Sequence, residues 1–427
     1  MLDINKIRNN PKEIKAGIKA KNTDPALVDK FLELDEKWRA LTKKSDDARA
    51  EQKKLGEAKK VEEAKKLKEE LKKMESELAE LEKSKELIHI KLPNLPFPEV
   101  PIGKDESGNI EIRKWGEIPK FDFRPKDHLE LGESLDIIDV KKASEVSGTR
   151  FNYLKGAAAQ LEFAIVQFVF STLTNQKIIA KIAKKIGEDF PNKTFVPVIP
   201  PVMIKPEIFK RMARLDPGQE EERFFLPKDN LYLIGSAEHT LGPLHIDEIL
   251  EEKNLPLRYI GFSTAFRREA GSYGKDTKGI LRVHQFDKLE IESFTTSEIS
   301  TKEQDFIISI QEYLMQKLNL PYRVMNICTG DMGGPDARQI DIETWMPGQN
   351  KYRETHTSDL MTDYQSRRLN TKVRKTNGKL ELVHMNDATA FAIGRIIIAI
   401  MENYQTKTGT IKIPKVLQPY LSIDEIK

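Results

Sequence analysis

The sequence predicts an α+β fold: a mostly antiparallel sheet in residues 103–427, preceded by an antiparallel coiled-coil hairpin in residues 1–102. Heptad spacing carries the hairpin. Leu27, Phe31, Leu34, Trp38, Leu41, Ser45, Ala48 and Leu55 fall at alternating four- and three-residue steps, and Ala64, Leu67, Leu71, Met74, Leu78 and Leu81 repeat them after a break at Gly56. Such a hairpin projects on the order of 40 Å at 1.5 Å per residue. Its tip is basic, since Lys53, Lys54, Lys59, Lys60, Lys65 and Lys66 outnumber Glu57, Glu62 and Glu63. Taken alone, the pattern suits a dimerising coiled coil with solvated faces. Pro93, Pro96, Pro98 and Pro101 end the second helix and stiffen the connection. Strand-like runs then follow at 195–199, 231–234, 258–266, 280–286, 322–328 and 340–346, with helical patterns at 157–186, 300–318 and 388–404. Strands joined by tight loops, with helices grouped around them, give the α+β expectation.

Composition narrows the class. With 427 residues, 39% hydrophobic and 32% charged, the chain is long enough for two or three domains and polar enough to be soluble. A net charge of +3 makes any basic contact a local one. The single cysteine, Cys328, fits a reducing cytosol, and the charged start MLDINKIRNNPKE has no apolar segment of a secretory signal. The most apolar runs, 161–173 and 391–401, fall short of the roughly 18 residues a membrane span needs. A cytoplasmic location is expected, with no membrane association. No Cys/His cluster suggests zinc.

Residues 262–290, FSTAFRREAGSYGKDTKGILRVHQFDKLE, are the most informative stretch. Arg267 and Glu269 sit two apart, so on a strand they share a face. After a glycine-punctuated loop over 271–279, Arg282, Phe286, Lys288 and Glu290 share one face again. Guanidinium forks match phosphate oxygens, and an aromatic ring with an arginine plane can sandwich a base. At Ser236-Ala237-Glu238 a carboxylate suits a ligand ammonium and a hydroxyl suits a small polar ligand, although such a pair also caps helices. A helix starting near Thr389 would carry Arg395 within an apolar run, which is costly unless the arginine meets a buried carboxylate or a phosphate.

Residues 262–290 resemble motif 2 of class II aminoacyl-tRNA synthetases, in the wording of the seryl-tRNA synthetase family. FVPVIPP at 195–201 is similar to motif 1, NDATAFAIGRIIIAIMENY at 386–404 to motif 3, and LYLIGSAEHTLGPLHIDEIL at 231–250 to the serine-recognition loop, with Ser236 keeping the hydroxyl of the usual Thr-x-Glu. YRETHTSDLMTDYQSRR at 352–368 resembles the segment that meets ATP and its metal, with His356-Thr357-Ser358-Asp359-Leu360 where the family commonly has Ser-Ser-Cys-Ser-Asn.

The resemblance implies a homodimeric serine–tRNA ligase that forms seryl-adenylate from L-serine and ATP, then charges tRNA(Ser), with tRNA(Sec) an optional second acceptor. It implies serine contacts at Ser236, Ala237, Glu238, Arg267, Glu290 and Thr389. ATP contacts are implied at Arg267, Arg268, Glu269, Arg282, Phe286, Glu354, Thr355, His356, Thr357 and Arg395. Mg²⁺ would lie on Glu354 and Thr357, with Asp359 a further candidate for metal or ammonium. Lys53, Lys54, Lys59 and Lys60 would meet tRNA phosphates. Two other readings stand beside it: a paralogue that loads a carrier protein, and a scaffold with a decayed site.

Overall fold

The computed structural model describes residues 1–270 and 279–427, so most of the expected glycine-rich loop lies outside the described residues. The chain divides into two compact units, Met1–Pro96 and Phe97–Lys427.

In the first unit, α1 (Ile4–Asn9) and α2 (Pro11–Ala20) precede the long helices α3 (Ala26–Glu57) and α4 (Val61–His89). The 32 residues of α3 extend about 48 Å at the usual rise. The break lies at 58–60 and not at Gly56, which stays helical. Lys59 takes the left-handed conformation at φ 57°. Lys60 N bonds to Leu55 O and Lys59 N to Gly56 O, the bond pair of a Schellman cap. That cap needs one left-handed residue after the helix, and the lysine supplies it. Near the base the seam buries Val28 and Phe31, together with Ile7, Ile14 and Ile18 from α1 and α2, which the sequence reading did not anticipate. Asp35 is fully buried there and is gripped by the Arg8 fork at 2.7 and 2.8 Å and by Arg39 at 3.0 Å.

In the second unit, eight strands among the described residues form the main sheet. They are β1 (Ile110–Trp115), β2 (Val196–Val198), β3 (Leu257–Phe266), β4 (Gln285–Thr295), β5 (Tyr322–Asn326), β6 (Arg338–Met346), β7 (Lys351–Thr362) and β8 (His384–Ala392). Their spatial order is β1-β5-β6-β7-β8-β4-β3-β2, antiparallel except for the β2–β3 pair. Helices α5 (Ala157–Leu173), α6 (Gln176–Ile186), α7 (Ser300–Leu318) and α8 (Ile393–Asn403) cover one face. Leu289, Ile291, Ile340, Ile342 and Phe391 from the sheet pack there on Ile165, Phe306, Leu314 and Ile397 from the helices.

Three expectations shift. The helical run 157–186 is two helices, because Asn175 interrupts it and caps α6 by accepting from Lys177 N and Ile178 N. The run 280–286 becomes a strand only at Gln285, so Arg282 sits on irregular backbone. The helix expected from 388 starts at Ile393. Residues 384–392 form a central strand paired on both sides, and its buried end, ATAFA at 388–392, runs without a break into the apolar helix that follows, so the two read as one helix. No single helix among the described residues is long and apolar enough to cross a membrane; α5 and α6 reach that length and composition only together, across a 65° bend.

An ion pair of fully buried side chains joins α7 to the sheet. Arg258 meets Glu303 at 2.6 and 2.7 Å, donates to the carbonyls of Lys193 and Pro191, and lies 4.2 Å over the Phe306 ring. Ser293 Oγ donates to the same carboxylate at 2.8 Å. Glu303→Ala strands a buried guanidinium and should cost about 3–5 kcal/mol in urea unfolding. A loss below about 1 kcal/mol would place this pair among the weak surface bridges.

Candidate active site

The other face of the sheet carries the charge. Along β4, Leu289 and Ile291 enter the helical core, so Phe286, Lys288 and Glu290 face the opposite side, where a cavity opens. Thr389 and Asp387 on β8 lie across from Glu290 and Glu292. The β4–β8 register slips at Ala390, which has no opposite residue, so Phe391 returns to the core while Thr389 stays at the cavity.

A second bulge arranges β7. Glu354 and Thr357 are an odd number apart and would point to opposite faces of a regular strand. The β6–β7 register slips between Ile342 and Glu343 and leaves Thr355 extra, which resets the alternation. Glu354, Thr355, Thr357 and Asp359 consequently border the cavity, and His356 does not. The His356 ring lies 5.3 Å from Phe391, its Nδ1 pairs with Thr355 Oγ1 at 2.8 Å, and burial pushes its pKa down to about 3.

The strand β3 ends at Phe266, so Arg267 and Glu269 do not share a face by strand alternation. Arg267 N still bonds to His284 O at 2.9 Å, and a left-handed turn at Glu269 (φ 53°) brings both side chains to the cavity. The Arg267 guanidinium lies 5.3 Å from the Phe286 ring, and its Nε donates to Gly235 O at 2.9 Å. Arg282 pairs with Glu269 at 3.2 Å. Arg268 turns outward, donating to Arg223 O at 2.8 Å and stacking 4.6 Å over Phe224. From the start of α8, Arg395 bonds Glu354 through its carbonyl at 2.8 Å and its carboxylate at 3.0 Å.

Glu238 borders the cavity, while Ser236 and Ala237 are fully buried behind it. Lys288 Nζ links the layers, donating to Ser236 Oγ at 3.0 Å and Glu290 Oε1 at 2.9 Å. Lys288 shares the alternation of Phe286 and Glu290, which is the signal that could have assigned it a role. Arg214 and Asp387 also border the cavity and had no such signal, since their 3.1 Å bond spans 173 positions. At the hairpin tip in the other unit, Lys53, Lys54, Lys59 and Lys60 are exposed, and Lys60 pairs with Glu63 at 3.2 Å.

Burial governs the carboxyl groups. It pushes the Glu290 pKa up to about 8, against Lys288 and helped by Glu238 and Asp387, and lifts Asp387 to about 7 against Arg214. Burial also opposes the charge on Glu238, yet the cations Lys288 and Arg214 beside it hold it below the ordinary range. His239 is itself neutral by burial: Gly235 N donates to its Nδ1 at 3.0 Å, leaving the proton on Nε2, 3.4 Å from Glu238 Oε1. The outer oxygens Glu238 Oε2 and Glu290 Oε2 are buried and meet no hydrogen-bond donor. The cavity therefore offers an anionic acceptor beside a carboxyl group able to donate. At the phosphate-compatible end, Glu354 and Thr357 supply hard oxygens with Asp341 opposite Thr357, a donor type that fits Mg²⁺. Among the described residues no cluster of three or more His, Cys, Asp or Glu is arranged to hold a metal unaided.

Because the Glu290 value of about 8 exceeds the ordinary 4.5, the folded protein binds more protons than the unfolded chain between those values. Stability then falls as pH rises through that window. Glu290→Gln should flatten the fall in melting temperature between about pH 5 and 8. Equal slopes for the two proteins would show that Glu290 is already ionised at acidic pH.

A profile described as the tRNA synthetase class II core domain (G, H, P, S and T) matches residues 224–404, and the seryl-tRNA synthetase N-terminal domain matches residues 1–96. The serine–tRNA ligase of Dictyoglomus thermophilum is 44% identical, covering 100% of this chain and 99% of its own length. That of Thermotoga maritima is 38% identical, covering 100% of both chains. The crystal structure of seryl-tRNA synthetase from Pyrococcus horikoshii complexed with ATP superposes with a TM-score of 0.90 at 37% identity, covering 100% of this chain and 99% of that one. With 100% of its length aligned at such identities, over a sheet whose charged face gathers the motif 2 and motif 3 side chains, the chain belongs to the seryl-tRNA synthetase family of class II aminoacyl-tRNA synthetases.

Proposed function

We infer that this chain is a serine–tRNA ligase: it activates L-serine with ATP, releasing diphosphate, and passes the seryl group to the 3′ end of tRNA(Ser). The observation that carries the reading is one cavity holding Arg267 over Phe286, the pairs Arg282–Glu269 and Arg395–Glu354, and the polar set Glu238, Glu290 and Thr389. In this reading Phe286 stacks beneath the adenine ring and Glu269 accepts from the adenine amino group. Arg267 meets the α-phosphate and the serine carboxylate, while Arg282 and Arg395 meet the outer phosphates. Glu238 takes the ammonium, and Glu290 with Thr389 takes the hydroxyl. Mg²⁺ on Glu354 and Thr357 supplies charge stabilisation to the phosphates when bound. No zinc role is proposed.

The reaction needs no protein nucleophile. A serine carboxylate oxygen forms the new bond to the α-phosphorus in line with the diphosphate, which leaves with the electrons of the broken P–O bond. The terminal ribose hydroxyl of tRNA then displaces AMP from the seryl carbonyl. Both steps depend on positioning and on fixed positive charge near the phosphates.

The N-terminal unit serves as the tRNA arm, with Lys53, Lys54, Lys59 and Lys60 contacting phosphates without sequence preference. The protein works as a cytoplasmic homodimer. The edge strand β2 and its flank expose Val196 (54%) and Ile199 (80%), apolar surface suited to a second copy.

Serine-dependent ATP–diphosphate exchange, with threonine, alanine and cysteine as comparisons, tests the reading. Failure of every amino acid to support exchange favours a scaffold, and serine-dependent exchange without tRNA charging favours a carrier-loading enzyme. Arg395→Ala should lower exchange by about 100-fold or more with the melting temperature held; near-normal exchange removes Arg395 from the site. Deleting residues 30–85 should leave exchange within about twofold while charging falls by about 100-fold. Unchanged charging would detach the arm from tRNA.

A further inference from the structure

Arg214, Asp387 and Asp359 border the cavity beside Glu238, Glu290 and Thr389, and the function above gives them no role. Arg214 follows Ala213, which is held left-handed at φ 57° just past the helix Pro206–Arg211. Its Nη2 donates to Asp387 Oδ2 at 3.1 Å, while its buried Nε meets no acceptor. Asp387 on β8 lies directly across from Asp359 on β7 and Glu292 on β4. The three acids are 2%, 8% and 0% exposed, and Asp359 Oδ1 and both Glu292 oxygens lack partners.

One guanidinium thus serves three carboxyl groups in adjacent cross-strand positions, with side chains about 5 Å apart. Three buried negative charges at that spacing exceed what one cation can compensate. The bond from Arg214 to Asp387 makes these two the hydrogen-bonded pair of the row, beside the unpartnered oxygens of Asp359 and Glu292.

We propose that the Arg214–Asp387 pair is the end wall of the amino-acid pocket and sets its preference for serine over larger side chains. Serine carries one oxygen beyond Cβ, so selectivity requires a boundary immediately past that oxygen. A guanidinium hydrogen-bonded to a buried carboxyl group makes a firm one, because moving it strands Asp387 in a buried, already acidic layer. The extra methyl of threonine would have to displace that pair. Arg214 Nε and Glu290 Oε2 are buried polar atoms that a hydroxyl can satisfy and a methyl cannot. The inference rests on assigning Glu238, Glu290 and Thr389 to the amino acid.

The experiment measures exchange kinetics for serine, threonine and ATP with the full-length protein and its variants Arg214→Ala, Arg214→Lys, Asp387→Asn and Glu290→Gln. Arg214→Ala should raise KM for serine about tenfold, leave KM for ATP within about twofold, and narrow the serine-to-threonine ratio of kcat/KM by about tenfold or more. Arg214→Lys should recover part of the ratio, and Asp387→Asn, which keeps the volume, should narrow it. An unchanged ratio in the folded variants, or equal losses toward ATP and serine, overturns the proposal. If Arg214→Ala melts, the lysine and asparagine variants decide by the same ratio. If Glu290→Gln leaves KM for serine unaltered, the underlying pocket assignment fails. If it raises that KM while the Arg214 and Asp387 variants keep the ratio, only the end-wall role fails.

Discussion

Strand alternation is the constraint on which the site depends, and two inserted residues adapt it. A regular strand alternates its side chains between the helical core and the open face, so half of any run is lost to packing. Thr355 in β7 and Ala390 in β8 each lack an opposite residue, and each resets the alternation of its strand. The first places Glu354, Thr357 and Asp359 on one surface; the second keeps Thr389 opposite Glu290 while Phe391 enters the core. The same shift sends His356 inward, where burial keeps its ring neutral.

Gathering so many charges on one sheet face is tolerable because most have a designated partner. Arg282 has Glu269, Arg395 has Glu354, Lys288 has Glu290 and Arg214 has Asp387. Pairs of this kind contribute little net stability, since desolvation offsets most of the attraction. Their effect is geometric: each long side chain is held at one place on the cavity wall, its rotamer freedom already spent. Where pairing runs out, at Asp359 and Glu292, protonation replaces it.

Much of this was legible in the sequence, and the gaps have physical causes. Local periodicity was sufficient for α7, whose expected range 300–318 coincides with Ser300–Leu318, and for the two arms of the hairpin. It failed at residues 388–392, because the end of a strand buried on both faces has no period to read. Arg267, Glu269, Phe286 and Glu290 gather at the cavity as expected, yet the first two arrive by a left-handed turn that alternation does not encode. Bulges are equally silent in a single sequence. So are contacts such as Arg214 with Asp387, which exist only once the sheet has assembled. The helices α1 and α2 were missed because their few isoleucines become a core only against α3 and α4.

In the function proposed above Arg395 meets an outer phosphate, and its 3.0 Å bond to Glu354 then bears on turnover as well as on placement. A cation with a resident anion alongside binds an incoming polyphosphate by exchange, so only the difference between the two attractions appears as affinity. On departure the guanidinium closes back onto its neighbour, and the exit uncovers no bare charge. Such a fallback contact trades tightness of capture for ease of discharge, which suits a catalyst that must shed a highly charged leaving group every cycle.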